Sequence, residues 1–323
     1  MTPKKYRNDL PQLGDARLLT DGGLETTLVF HQGLELPLFA AFHVLRSSEG
    51  QDALKQYYRP YIEIAHAQSR GFVMDSATWR ASQDWGERLG YSAAELDRAN
   101  RSAVRLLFEL RDEFEKDQPF VISGTIGPRG DGYVAGTGMT PSQSEAYHAK
   151  QIASLDEAGV DMVSAVTMTH SGEAKGIARA CSTRGLPLAL SFTVETDGRL
   201  PSGQPLGEAI EEVDEHVVQS PTYYMINCAH PDHFVSVLGP DAAWKRRIRG
   251  VRANASRCSH AELDASEELD EGDPMELAQG YVGLMSVLPE LRVFGGCCGT
   301  DHRHVRAIAE LCLRGSNTPA KLR

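Results

Sequence analysis

Three cysteines in two short motifs are the residues of this sequence best suited to metal chemistry. Cys228 ends an apolar run, and Cys297 and Cys298 lie together in the motif Gly-Gly-Cys-Cys-Gly at 295–299. Thiolate sulfur is a preferred ligand of Zn²⁺, and three protein ligands leave the fourth position open for a reactant. Buried, inert thiols are the alternative interpretation, but a glycine-rich run makes a poor core strand. We therefore predict a catalytic zinc site held by these three cysteines.

Residues near the two motifs extend this prediction. Asn227 comes directly before Cys228 and is expected to orient the loop that carries this ligand. Four histidines are alternative nitrogen ligands, although capping and loop roles are their default: His230, His233, His302 and His304. The remaining cysteines are interpreted as structural: Cys181, Cys258 and Cys312.

The order of apolar and amphipathic segments predicts how the cysteines are positioned. Eight short aliphatic runs are predicted as strands buried on both faces: 18–23, 72–78, 120–127, 161–168, 186–194, 222–228, 248–255 and 291–298. Amphipathic stretches are predicted as helices: 50–70, 92–116, 142–158, 172–184, 206–219, 273–288 and 301–314, with a stunted helix at 231–238. This alternation favours an α/β fold, a single (β/α)8 TIM barrel with its active site at the carboxyl ends of the strands. A doubly wound open sheet is the alternative, but no dinucleotide or Walker motif follows the first strand.

Composition limits the classes of function. The 323 residues carry a formal net charge of −11, which argues against a nucleic-acid partner because phosphate contacts need a basic surface. No apolar run is long enough for a membrane span, and the N-terminus lacks the apolar core of a signal peptide. The six cysteines are therefore expected to be reduced thiols in a cytoplasmic protein.

We divide the chain into a barrel domain at 1–315 and a C-terminal tail at 316–323, with the acidic stretch 262–273 as a solvated face or flexible loop.

Four motifs occur together in one order along the chain. They are Asp-Gly-Gly at 21–23, Gly-Thr-Ile-Gly-Pro at 124–128, Ile-Asn-Cys at 226–228, and Gly-Gly-Cys-Cys-Gly-Thr at 295–300 followed by His304. In that order they resemble the homocysteine S-methyltransferase family, over about residues 18–309. The resemblance implies a (β/α)8 barrel with a three-cysteine zinc site.

The resemblance also implies a reaction. A thiol acceptor such as homocysteine would bind the zinc as a thiolate and attack the methyl group of a sulfonium or quaternary ammonium donor, for example S-methylmethionine. Asp21 matches the family carboxylate near the acceptor thiol and amine, and its alternative role is to cap the turn before Gly22. Glu25 is a second candidate for substrate binding.

Two departures from the family pattern bear on the substrate. The family carries a Glu-Thr pair at the end of the fourth strand, where this chain has Val166 and Thr167, so recognition of an acceptor ammonium is in question. Glu195 or Asp197, after the fifth strand, is a hypothetical replacement for the missing Glu, and solvated loop carboxylates are the alternative.

The second departure follows the second strand, where Trp79, Arg80 and Trp85 occur. The two tryptophans are expected either to offer a face to a cationic donor or to pack structurally. Arg80 indicates either an anionic substrate group or an ion pair with Asp84.

Competing functions remain at this point. A zinc–thiolate protein of the same fold could act on a substrate other than homocysteine, or as a zinc hydrolase or lyase. A non-enzymatic zinc or thiol sensor is the alternative outside enzymes. The expected partners are a small thiol and a methyl donor, while a separate corrinoid partner and the oligomeric state are left open.

Overall fold

Eight parallel strands close into a barrel in which β1 pairs with both β2 and β8. The computed structural model describes residues 3–136, 138–239 and 243–313. The strands are Leu18–Leu19 (β1), Gly71–Asp75 (β2), Phe120–Ile126 (β3), Met162–Met168 (β4), Leu188–Phe192 (β5), Tyr223–Asn227 (β6), Ile248–Ala253 (β7) and Val293–Gly296 (β8). The predicted (β/α)8 barrel is thus confirmed, and the open-sheet alternative is wrong.

Helices connect the strands and cover the outside of the barrel. They are Ser48–Ala67 (α1), Gln83–Arg88 (α2), Ala93–Phe114 (α3), Pro141–Ala158 (α4), Ser171–Thr183 (α5), Leu206–His216 (α6), Pro231–Phe234 (α7), His260–Asp264 (α8), Pro274–Val287 (α9) and His302–Cys312 (α10). A single turn at Leu24–Thr26 continues into a π-helical segment at Thr27–His31. Short 3₁₀ segments complete the described elements: Pro11–Leu13, Pro37–Phe39, Ala41–Arg46, Val235–Val237 and Ala243–Arg247.

The strand β1 is much shorter than the predicted 18–23. The chain leaves the sheet because Gly22 and Gly23 pack directly against the turn that follows β8. A Cβ atom on Gly22 would lie 2.8 Å from the Thr300 carbonyl oxygen, and one on Gly23 would lie 2.7 Å from the Cys297 carbonyl oxygen. Asp21 still accepts a hydrogen bond from the Gly296 N–H of β8 at 2.8 Å, whereas the two glycines of the motif serve close packing against the cysteine motif.

The inside of the barrel changes character along its axis. Its amino-terminal half is filled by an apolar cluster that includes Leu18, Val73, Val121, Met162, Tyr223 and Val293. Towards the carboxyl ends of the strands, buried polar side chains take over, among them Asp75, Ser123, Ser164, Ser191, Asn227 and Arg252. Polar residues therefore collect at the end of the barrel where active sites of this fold lie.

Two further sequence predictions concern a C-terminal tail and the lack of a membrane span. The predicted C-terminal tail, 316–323, lies outside the described residues. Within the described part of the chain, no helix is both long enough and apolar enough to cross a membrane.

Candidate metal centre and cavity

The carboxyl ends of β6 and β8 bring the three predicted cysteines together. The sulfur atoms of Cys228, Cys297 and Cys298 all lie within 4.8 Å of one another, and those of Cys228 and Cys298 are 4.0 Å apart. The sulfurs of Cys228 and Cys297 are in direct contact. In a tetrahedral zinc site with Zn–S bonds of about 2.3 Å, two sulfurs lie about 3.8 Å apart. The donor set and its spacing therefore fit one zinc ion when the cysteines are reduced.

Tight backbone turns aim these sulfurs at one point. Cys228 has a φ of 53°, in the left-handed region that non-glycine residues rarely adopt. Its N–H donates to the Arg252 carbonyl at 3.1 Å, and its own carbonyl accepts from His260 Nε2 at 2.6 Å. In the second motif, Gly299 takes a φ of 77°, and the Thr300 hydroxyl donates to the Cys297 carbonyl at 2.7 Å. These contacts hold both turns in place.

Asn227 supports the centre from within the barrel. Its Oδ1 accepts from the Thr167 N–H at 2.9 Å and from the Ser191 hydroxyl at 2.6 Å, and its Nδ2 donates to Thr167 Oγ1 at 3.0 Å. Thr167 itself has a φ of 64°. Asn227, the residue before Cys228, therefore holds the unusual backbone of Thr167 and is itself held between β4 and β5.

A cavity of about 410 Å³ opens above the cysteines. Its walls carry more acid than base: the acidic residues are Asp21, Glu25, Asp75, Asp131, Asp264, Glu268 and Asp270, and the basic ones are Arg80 and Arg252. The stretch 262–273, expected as a solvated face or flexible loop, supplies part of this wall. The cavity therefore presents a negative field to a ligand.

A buried guanidinium joins two of these carboxylates. Arg252, on β7, donates from Nη2 to Asp21 Oδ1 and from Nη1 to Asp75 Oδ2, each at 2.5 Å. Its Nε donates to the Gly296 carbonyl at 3.1 Å, and the Tyr57 hydroxyl donates to Asp21 Oδ2 at 2.9 Å. Burial raises the pKa of Asp21, and the charge of Arg252 opposes that effect. The predicted acceptor carboxylate, Asp21, is thus already engaged by the protein.

Glu25 is a predicted cavity residue whose pKa is raised. It lines the cavity, and burial raises the pKa of its carboxyl to about 7, with the nearby charge of Asp21 adding to the rise. Its protonation therefore changes near neutral pH.

Only one of the two tryptophans reaches the cavity. Trp79 and Arg80 line it, whereas Trp85 is buried beside Arg80 and Arg88, whose guanidinium carbons lie 4.0 and 4.5 Å from its ring centroid. Arg80 also lies 4.6 Å from the Trp79 ring centroid and 3.8 Å from Asp131. The predicted pair of tryptophans therefore does not form one face for a donor, and the Asp84 carboxylate pairs with Arg129 instead.

Glu195 contacts the centre through a histidine. Its Oε1 lies 3.0 Å from His260 Nδ1, and His260 bonds the Cys228 carbonyl as described above. The Tyr133 ring stacks on His260 with centroids 4.1 Å apart, and the Tyr133 hydroxyl lies 3.2 Å from Cys298 Sγ. Sequence reasoning missed His260 and Tyr133, because neither lies in a motif that predicts these contacts.

Three of the four histidines proposed as alternative ligands make hydrogen bonds at caps or loops. His230 accepts from the Asp232 N–H at 3.2 Å, His233 bonds the Arg257 carbonyl at 2.8 Å, and His304 bonds the Glu271 carbonyl at 2.8 Å. Their default interpretation therefore agrees with the structure.

Comparisons with known proteins extend the likeness to the whole barrel. A family model described as homocysteine S-methyltransferase matches residues 18–312. Homocysteine S-methyltransferase YbgG of Bacillus subtilis is 24% identical over 255 residues, covering 72% of this chain and 77% of that protein. Homocysteine S-methyltransferase 3 of Arabidopsis thaliana is 22% identical, covering 91% and 89%. The metallated form of the homocysteine methyltransferase MmuM from Escherichia coli superposes with a TM-score of 0.72 at 17% identity, covering 92% and 97% of the two chains, which shows a shared fold.

Proposed function

The chain belongs to the homocysteine S-methyltransferase family, whose members are methyltransferases, and from this premise we propose that it moves a methyl group from a cationic donor to a thiol acceptor. The observation that carries the proposal is the convergence of three cysteine sulfurs within 4.8 Å at the wall of an acidic cavity. We propose a sulfonium or quaternary ammonium donor, such as S-methylmethionine, and homocysteine or a related thiol as the acceptor. We place the reaction in the cytoplasm, where thiols stay reduced.

We propose that Cys228, Cys297 and Cys298 hold Zn²⁺. When bound, the ion would lower the pKa of an acceptor thiol and so supply a thiolate at neutral pH. Asn227 and His260 would keep the turn at Cys228 fixed, because Asn227, the preceding residue, bonds the Thr167 backbone and His260 bonds the Cys228 carbonyl. A protein of the same fold, MmuM, has a metallated form, which supports the proposal that this barrel binds a metal.

The acidic cavity supports a cationic donor over a neutral or anionic one. As the methyl carbon bonds the acceptor sulfur, its bond to the donor sulfur or nitrogen breaks, and the donor leaves as a neutral thioether or tertiary amine. The acceptor's thiol proton goes to solvent. Because the positive charge disappears in this step, the negative walls attract the donor more strongly than its product.

The other predicted substrate residues divide by how they would act. Glu25 and Trp79 are proposed to contact substrate directly, since both line the cavity. Asp21 would act through its charge, because Arg252 and Tyr57 engage its oxygens. Glu195 would act through His260.

A second candidate is a thiol sensor that binds metal at the same three sulfurs without turnover. The test is to reduce the protein, load it with zinc and incubate it with a panel of thiols and with S-methylmethionine or glycine betaine. Mass spectrometry should detect the methylated thioether, and Cys298→Ala should abolish its formation. Bound zinc without a methylated product from any pair would favour the sensor, and a protein that retains no zinc would refute the metal centre.

A further inference from the structure

The buried carboxylate of Asp75 has one oxygen that the protein leaves without a partner. Asp75 is 5% exposed, and its Oδ2 accepts from Arg252 at 2.5 Å. Among the described residues, no donor lies within hydrogen-bond distance of Asp75 Oδ1, and the buried Thr125 Oγ1 is likewise without a partner. Both residues line the cavity above the cysteines. Buried polar atoms in native proteins are almost always satisfied, so this pair indicates a ligand or an ordered water.

The charges around Asp75 indicate which ligand would fit. Two carboxylates, Asp21 and Asp75, share the single guanidinium of Arg252, so the ionised cluster has an excess of negative charge. An unbalanced buried carboxylate is costly. Val166, the cavity-lining residue near the end of β4, supplies no charge. A cation that enters the cavity would balance the cluster and satisfy the free oxygen together.

The acceptor atoms favour a primary ammonium. A protonated amine has three N–H donors, which suits a carboxylate oxygen and a hydroxyl oxygen in one wall. A sulfonium or quaternary ammonium group has no N–H and would leave both oxygens unsatisfied. The methyl-bearing group of the donor therefore does not fit this position.

Arg252 connects Asp75 to the turn that carries the cysteines. Arg252 bonds Asp75 with one end of its guanidinium and the carbonyl of Gly296, the residue before Cys297, with Nε. One planar group thus separates Asp75 from the metal-binding turn. We infer that Asp75, with Thr125 of the neighbouring strand β3, binds the ammonium of an α-amino thiol acceptor whose sulfur lies at the cysteine centre, and that Arg252 positions Asp75; this inference rests on the proposed function.

The test compares two acceptors that differ only in the amino group, homocysteine and 4-mercaptobutanoate. Binding to the zinc-loaded full chain is measured by calorimetry, and methyl transfer is measured with glycine betaine, which has no primary amine. Asp75→Asn should raise the Kd and KM of homocysteine about 10- to 100-fold, the loss expected for a charge-assisted hydrogen bond. The values for 4-mercaptobutanoate should change by less than about threefold.

A matched control is available at the other end of the barrel. Asp161 is fully buried and pairs with Arg111 at 2.8 Å, outside the cavity, so Asp161→Asn makes the same chemical change without touching the proposed subsite. It should leave the ratio of the two acceptor affinities unchanged, whatever it does to stability.

Each remaining outcome decides the inference. Equal losses for both acceptors in Asp75→Asn would assign a structural role, and no loss would exclude Asp75. A selective loss of homocysteine in Glu25→Gln, without one in Asp75→Asn, would assign the ammonium to Glu25. If the wild type binds homocysteine more tightly than 4-mercaptobutanoate but methylates no thiol, the proposed function fails while the subsite stands; equal binding of the two overturns the subsite.

Discussion

Replacing Arg252 with methionine should destabilise the protein by about 3–5 kcal/mol, the usual cost of removing one partner from a buried ion pair. Arg252 is 9% exposed and pairs with both Asp21 and Asp75 at 2.5 Å. Methionine fills much of the same volume but leaves two buried carboxylates facing one another. Most of the cost therefore comes from the unpaired charges rather than from a cavity.

Urea unfolding of zinc-free, reduced protein at pH 7.5 measures this cost through the free energy of unfolding. The double variant Arg252→Met with Asp75→Asn should recover at least about 1 kcal/mol, because only one carboxylate then stays ionised. The loss should also shrink at pH 5, since burial already raises the pKa of Asp21 and loss of the opposing Arg252 charge raises it further. A loss below about 1 kcal/mol, or one that is the same at both pH values, would refute the idea that Arg252 neutralises this cluster.

Three further predictions address the centre and the cavity. Cys298→Ser should lower the zinc content and methyl transfer sharply, whereas Cys258→Ser, at an exposed cysteine outside the cluster, should keep both; metal analysis beside the transfer assay checks this. His260→Ala should weaken zinc binding about 10- to 100-fold, because it releases the Cys228 carbonyl; competition with a chelator measures it, and unchanged affinity would contradict the supporting role. Because the pKa of Glu25 is raised to about 7, affinity for a cationic donor should increase as the pH rises through that value, and Glu25→Gln should flatten the profile. The same shift means that the stability contribution of Glu25 is lost as the pH rises from about 4.5 to 7, so unfolding of Glu25→Gln should depend less on pH in that window.

Much of the fold could be predicted because each strand of a parallel barrel is marked by a short apolar run of consecutive residues. β3, β4 and β6 begin and end within two residues of the predicted runs, since each is mostly apolar and buried along its whole length. β1 was predicted too long because the predicted run includes Gly22 and Gly23. These glycines pack against the turn after β8, which lies far away in the sequence. A contact between the two ends of the chain cannot be seen in a local pattern.

The candidate site was predictable where its chemistry lies in adjacent residues. The double-cysteine motif and Asn227 with Cys228 indicated a three-sulfur centre, and the structure brings these residues together. Arg252 and Asp75 escaped notice, because a single charged residue in a strand does not reveal which way its side chain points. Their pairing depends on the closed barrel, which lets a side chain on β7 reach across β8 to β1 and β2.

The position of Arg252 also explains how one small region can hold so much negative charge. Asp21, Asp75, Glu25 and the three cysteines all line one cavity; the charge of Asp75 raises the pKa of Asp21, and the charge of Asp21 raises that of Glu25. The guanidinium is bonded to both aspartates and to the carbonyl before Cys297, so it offsets this repulsion where the thiolates are needed. It offsets only part of it, which leaves the cavity attractive to a cationic donor and to an ammonium-bearing acceptor. Transfer of the methyl group removes the donor's charge and with it much of that attraction, so the electrostatics that favour binding before the reaction favour release after it.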